Sequence, residues 1–308
     1  MIHSVKIINY IGQELDMKLR NPEESGFLIF NMAGIGPGKS DINVTSIVTA
    51  DGGVYNSSRL PPRNIVLSLR FFSNARLDGS PKTAGDIRLE SYKYFPVKRP
   101  ITLRVTTDNR VAEIVGYVES NEPVVFSKET HTQLSIICPD PYFYSQEKQV
   151  VVFAAVNPLF EFPFSNESVE EPLIIMGEVW PEATRSVWYE GDAEVGVIIH
   201  IFAKGIVSEL SIFNVETNER MVINNDRMIQ LTGSGIVAGD HIIISTIRGD
   251  KHISLIRRGV KHNILNVLNR DAYWFQLRKG DNIFGYIAEF GLSNIDFQIE
   301  HRVAYEGV

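Results

Sequence analysis

Ile65-Val66-Leu67-Ser68-Leu69-Arg70-Phe71 is the stretch that decides the fold class. Its apolar residues Ile65, Leu67, Leu69 and Phe71 stand at every second position, which puts them on one face of an extended strand. A helix would spread the same four side chains around its circumference. Working outward, Ile101-Thr102-Leu103-Arg104-Val105 repeats the alternation, with Ile101, Leu103 and Val105 inward and Thr102 and Arg104 outward. The turn Thr107-Asp108-Asn109-Arg110 follows, and then a partner strand, Val111–Glu119. A further run from Gln133 to Cys138 stops at Pro139 and Pro141, which cannot donate ladder hydrogen bonds. One helix interrupts the pattern, from Ala84 to Tyr94. Thr83 and Asp86 form a capping box at its start and Pro96 ends it.

Between Tyr144 and Pro172 the alternation fades and prolines gather at Pro158, Pro163 and Pro172. This predicts a first domain over 1–150, a connector over 151–171 and a second domain over 172–308. In the second domain, strand-like runs recur at Leu173–Gly177, Gly196–Ala203, Glu209–Asn214, Glu219–Ile223, His241–Ile247, His252–Arg257, Asn282–Ala288 and Ile295–Val303. A short helix or turn is expected at Asn263–Asn269. Short strands at such spacing predict a β-sandwich or jelly roll, and the chain as a whole reads as mainly β.

Composition narrows the function classes. The chain has 308 residues, 44% of them hydrophobic and 22% charged, so it can bury two cores without staples. Apolar runs such as Gly196–Ala203 fall far short of the ~20 residues of a membrane-spanning helix. Met1–Lys6 reads as a strand rather than a secretory leader, which sets an expectation of synthesis in the cytoplasm. A net charge of −7 argues against a nucleic-acid grip. The basic pairs Lys98-Arg99 and Arg257-Arg258 read as strand ends or turns.

No residue is singled out as catalytic, cofactor-binding or metal-binding. Cys138, the one cysteine, falls in register with Leu134 and Ile136 and reads as a small buried hydrophobe. The seven histidines are scattered, without the paired spacing of a zinc site. Gly34–Gly38 followed by Lys39-Ser40 resembles a phosphate loop superficially, but the spacing is one residue short and the β-branched run after Asp41 predicts a strand where a helix should begin. The acid pairs Glu23-Glu24 and Glu170-Glu171 adjoin prolines and read as solvated. Trp180, Trp188 and Trp274 could form a sugar platform, although tryptophans in a sandwich are more often core or interface packing.

Taken in order, several fragments resemble the distal tail protein family of long-tailed phages, often shortened to Dit. In the first half these are Asp51-Gly52-Gly53-Val54-Tyr55, Arg59, Arg63, Tyr94–Pro100, Ile101–Val105, Gly116–Glu119 and Ile137-Cys138-Pro139-Asp140-Pro141-Tyr142-Phe143-Tyr144. In the second half they are Gly191-Asp192, Ile212–Arg220, Gly239–Thr246, Arg248–Lys251, Asn263-Ile264-Leu265, Tyr273–Leu277 and Gly280–Phe284. The resemblance covers most of the chain and includes no catalytic residue.

It implies a non-enzymatic tail-tip component without cofactors. An N-terminal tail-tube-like β-barrel or sandwich with one helix would form a homo-hexameric ring, and a galectin-like C-terminal β-sandwich would project from it. The implied partners are the tail tube protein, a tail-associated tip protein and receptor-binding proteins, with DNA passing through the ring of a virion or phage-like particle without specific binding. A conduit for DNA should present an acidic or neutral wall. Strand edges are natural joints, so Ile65–Phe72 and the edge of Ile101–Val105, or the turn after it, are the expected ring contacts. The loops Asn21–Gly26 and Ala33–Lys39 are either an arm that clasps a neighbour or surface loops. Two alternatives stand beside the tail-tip reading: a carbohydrate-binding β-sandwich that attaches to a host surface, and an enzyme with a glycosidase-like acid pair.

Overall fold

The period-two runs are strands in the structure, a computed structural model that describes residues 1–47, 51–73, 82–124, 126–127, 129–158, 177–181 and 183–308, with backbone alone at 154–158 and 177–181. These residues divide into two compact units, one of residues 1–146 with 304–308 and one of residues 147–303. Of the connector expected at 151–171, residues 159–171 lie outside the described residues, as do residues 173–176 of the strand expected at Leu173–Gly177.

Unit 1 contains β1 (Ile2–Asn9), β2 (Glu14–Lys18), the short helix α1 (Pro22–Ser25), β3 (Phe27–Ala33), β4 (Asp41–Ser46), β5 (Gly53–Arg59), β6 (Arg63–Phe71), α2 (Ala84–Tyr94), β7 (Pro100–Thr107), β8 (Val111–Val124), β9 (His131–Cys138) and β10 (Phe143–Ser145). One antiparallel sheet runs β2-β1-β7-β8-β9-β6-β3, and β10 pairs with β8. The long β8 serves both halves. Its first part pairs with β7 and its second with β9, and the register shifts at a bulge between Val118 and Ser120. Inward residues from both halves, among them Ile7, Ile65, Leu67, Leu69, Leu103, Val105, Leu134 and Ile136, join one hydrophobic core. Each such side chain contributes about 1.5–3 kcal/mol by leaving water. Helix α2 has the expected capping box, with the Thr83 side chain accepting from Asp86 N and the Asp86 carboxylate accepting from Thr83 N. It packs through Ile87, with Phe95 buried just past its end, while Leu89 and Tyr92 stay exposed.

The premise that Ile65–Phe72 and Ile101–Val105 lie at a sheet edge needs correction. β6 is hydrogen-bonded on both sides, to β3 and β9, and β7 is held between β1 and β8, so neither run offers a free edge. Alternation identifies a strand with one buried face, but it carries no information on whether that strand is central or at an edge.

Unit 2 contains β11 (Gln149–Val152), β12 (Ala154–Pro158), β13 (Gly177–Pro181), β14 (Thr184–Ser186), β15 (Val195–Gly196), β16 (Ile198–Ala203), β17 (Leu210–Asn214), β18 (Arg220–Ile223), α3 (Asn225–Thr232), β19 (His241–Ser245), β20 (His252–Arg257), β21 (Val260–Asn263), β22 (Gln276–Leu277), β23 (Ile283–Ile287) and β24 (Ile295–His301). A sheet β11-β24-β16-β19-β20-β21 faces a second, β14-β23-β17-β18. Tyr286 of β23 stacks on Phe297 of β24 with ring centroids 4.8 Å apart, which joins the two sheets across the core. The turn expected at Asn263–Asn269 is a single 3-10 turn, Leu265–Val267. Helix α3 was not foreseen. After β24 the chain returns to unit 1, where β25 (Ala304–Tyr305) pairs with β10.

Candidate functional site

Leaving β3, the chain passes through Gly34–Ser40 into the hairpin β4–β5 and comes back through Leu60-Pro61-Pro62 into β6. The hairpin is a two-stranded sheet of its own, and every residue of both strands is exposed. Its sequence nevertheless has the composition of a core strand. Ile42 is 61% exposed, Tyr55 61% and Val44 and Val54 more than half. Gly53 permits the close crossing, since a Cβ there would lie 2.5 Å from Val44 Cγ1. A two-stranded ribbon has no second layer to bury its apolar side chains, so this surface is suited to cover by another molecule.

The base of the hairpin is held by Arg63. Its guanidinium donates to four backbone carbonyls: Nη1 to Gly34 O (2.8 Å) and Gly36 O (2.5 Å), Nε to Pro141 O (2.7 Å) and Nη2 to Glu306 O (2.6 Å). The same group lies 5.1 Å from the centre of the Phe143 ring. Burial pulls the Arg63 pKa below its ordinary value. Three remote segments are thereby tied to the root of the hairpin: the glycine loop, the Asp140-Pro141 corner and the C-terminal residues 304–308. The corner is shaped by Asp140, whose carboxylate accepts from Tyr142 N and the Tyr144 hydroxyl. Val308 N donates to Ile35 O, closing the far end of the clamp.

This geometry explains the glycine loop. A phosphate cradle aims N–H groups at an anion, whereas Gly34 and Gly36 aim carbonyl oxygens at a cation. Gly34 has φ +84°, and a Cβ on it would stand 2.2 Å from Asn64 O, so only glycine fits. The residues after Ser40 form strand β4, as the β-branched run predicts.

The other residues weighed in the sequence remain apart. Cys138 is fully buried and burial pushes its thiol up to about 11, which keeps it from acting as a thiolate at neutral pH. Glu24 belongs to α1, where Asn21 and Lys18 hold its carboxyl below the usual range. Lys98 and Arg258 sit in turns at positive φ, and Arg257, half-buried, pairs with the buried Asp240. Trp188 is exposed and Trp274 lies half-buried under Lys251. Glu170, Glu171 and the side chain of Trp180 lie outside the described residues. Among the described residues no three metal-ligating side chains gather.

What sequence reading missed was the exposure of β4–β5 and the clamp beneath it. The available signal was Arg63 opening β6 directly after two prolines that cannot extend a ladder.

Comparison with solved structures places this two-unit architecture. The SPP1 Dit protein (gp 19.1), described as a paradigm of the hub adsorption apparatus in phages that infect Gram-positive bacteria, superposes with a TM-score of 0.65 at 12% identity. The match covers 97% of this chain and 98% of that one. The chain has the distal tail protein fold. Chains of the phage P2 baseplate in its activated conformation also match, at 13% and 14% identity over 97–98% of both chains, with TM-scores of 0.47. No family model matches the sequence, and neither does any curated protein. The shared fold is therefore seen in the structure, at an identity of about one residue in eight.

Proposed function

We propose that the chain is a structural, non-enzymatic subunit of a phage-type tail tip, in which six copies close a ring through unit 1. The observation that carries this reading is the superposition on SPP1 Dit over nearly the full length of both chains. The exposed hairpin supports it independently. A ring needs each copy to offer a neighbour something it cannot satisfy alone, and β4–β5 offers apolar side chains on a base fixed by Arg63. The two units act as separate modules, unit 1 for assembly and unit 2 for further tail-tip proteins. The ring joins the tail tube to the tip and its receptor-binding proteins and leaves a passage for DNA. The formal charge of −7 per copy suits a passage that does not hold the polymer.

Negative-stain microscopy of the purified chain tests the proposal. Closed rings with a central opening are expected. Particles of single-chain size at every concentration would rule it out.

A further inference from the structure

We infer that unit 2 carries a binding site for an acidic saccharide, in the groove between α3 and the loop 265–274. The inference stands apart from ring formation and draws on different residues. The groove is a cavity of about 490 Å³ lined by Arg227, Asn266, Asn269, Arg270 and Trp274, among others. A second cavity of about 340 Å³ continues it, sharing Arg227 and Asn266 and adding Leu231. Both volumes fall in the range of small-ligand sites.

Main-chain bonds fix the walls. The Asn224 side chain caps α3 by accepting from Arg227 N (2.9 Å), and Asn224 N donates to Val267 O (3.1 Å). Asn269 N donates to Val222 O and Tyr273 N to Arg220 O, which holds the loop against β18. Arg227 Nη1 donates to Leu268 O at 2.7 Å, so its guanidinium is oriented before any ligand arrives.

The lining has unused hydrogen-bonding capacity. Elsewhere in unit 2, Arg257 is paired with Asp240 and Arg278 with Glu194. Among the described residues neither Arg227 nor Arg270 has a carboxylate partner, although Asp226 and Asp271 are their chain neighbours. The side-chain amides of Asn266 and Asn269 likewise make no hydrogen bond among the described residues. Guanidinium groups recognise carboxylate or phosphate through paired N–H groups. Amides can donate to and accept from sugar hydroxyls. The half-buried indole of Trp274 adds an aromatic wall to the groove, with Lys251 Nζ over its ring at 5.5 Å from the centre. Two cations, Arg227 and Arg270, line the groove, Lys251 stands beside Trp274, and among the described residues the lining holds no carboxylate. That modest excess suits isolated acid groups set among hydroxyls, whereas a nucleic-acid backbone needs a denser basic surface.

Titration of the full chain by calorimetry, with saturation-transfer NMR as a second readout, tests the assignment. The probes are trigalacturonate, its neutral counterpart galactotriose, glucose 6-phosphate and inorganic phosphate. An acidic sugar is expected to bind at least about tenfold more tightly than galactotriose, and Arg270→Gln to weaken it by about tenfold, the effect of one lost charge-assisted bond. Trp274→Phe should weaken it less. Preference for trigalacturonate assigns a carboxylated saccharide, and preference for glucose 6-phosphate a phosphorylated one. Arg270 is exposed and holds nothing in place, so its variant should keep the thermal midpoint of the parent, whereas Arg227 ties down Leu268 and is left intact. Equal binding of acidic and neutral sugars would overturn the inference. So would equal binding of inorganic phosphate, full affinity in Arg270→Gln, or no binding at ~10 mM, which is weaker than about −3 kcal/mol.

Discussion

Each unit ties down one arginine through several hydrogen bonds, and the two are satisfied in opposite ways. In unit 1, Arg63 meets four backbone carbonyls from distant segments and, among the described residues, forms no ion pair with a carboxylate. In unit 2, Arg257 meets the buried carboxylate of Asp240 at 2.6 Å, with Ser234, Thr232 and Gly235 O completing its partners, all within the chain segment 232–240. The pKa directions follow: burial lowers that of Arg63, while the bond to Asp240 raises that of Arg257. Arg257 therefore closes a local loop inside a sandwich that is already complete. Arg63 fixes the root of a hairpin that the rest of unit 1 leaves uncovered. The difference is one of reach: Arg257 closes a local segment, whereas Arg63 joins segments far apart in the chain.

The largest expected effect comes from the hairpin. Replacing Ile42, Val44 and Tyr55 together by serine should convert rings into single chains, because each apolar side chain contributes about 1.5–3 kcal/mol when a neighbour covers it. The thermal midpoint of the single chain should hardly move, since all three side chains are exposed within it. Rings that persist in this variant would move the assembly surface elsewhere.

Truncating the arginines should sharpen the contrast. Arg257→Ala leaves the Asp240 carboxylate, 2% exposed, without its counter-charge and should cost about 3–5 kcal/mol. Adding Asp240→Asn should restore part of that, because an amide can still accept from Val237 N. Arg63→Ala should cost on the order of 3 kcal/mol from unpaired carbonyls, and no second side-chain substitution can restore it. Urea unfolding separates the units, since Trp180, Trp188 and Trp274 all lie within 147–303 and their fluorescence follows unit 2, while far-ultraviolet circular dichroism follows both. Failure of Asp240→Asn to rescue any of the loss in Arg257→Ala would erase the distinction.

A smaller effect concerns acid. Burial lowers the pKa of His200, His241 and His301, all in unit 2. His200 Nδ1 and His241 Nε2 share a 3.1 Å hydrogen bond, and both ring nitrogens of His301 are buried without a partner. The folded state thus favours neutral imidazole, while the unfolded chain takes up protons near the ordinary 6.5. Unit 2 has its full stability above that pH and loses it as the pH falls toward the lowered folded values. His301→Leu should be neutral or stabilising at pH 7.5 and should flatten part of the acid loss seen by tryptophan fluorescence. An unchanged acid profile would remove His301 from the account. Least of all, Cys138 should resist alkylation in the folded chain and react only in denaturant, as its buried thiol requires.

Much of this architecture was legible in the sequence because period-two burial leaves a direct trace. Ile65–Phe71, Ile101–Val105 and the strand ending at Cys138 all bury the residues that the alternation assigns. Helix α2 was legible through Thr83, Asp86 and Pro96. Helix α3 was not, because it is only eight residues long and buries Met228 alone, leaving Ile229 and Leu231 exposed. Its caps, Asn224 and left-handed Gly233, were the readable signal. The candidate site was half legible. Asp41–Ser46 reads as a strand, but alternation in Ile42 and Val44 looks the same whether its apolar side faces a core or awaits another molecule. The return of residues 304–308 to unit 1 has no local pattern, since Arg63 and β10 hold them from far along the chain.

The central claim is that unit 1 assembles through its hairpin into a closed ring. Light scattering across a wide concentration range, on the intact chain and on the Ile42, Val44 and Tyr55 triple-serine variant, tests it most directly. The account predicts a hexamer mass for the first, constant on dilution, and a single-chain mass for the second. A single-chain mass for the intact protein, or one hexamer mass for both, would contradict it.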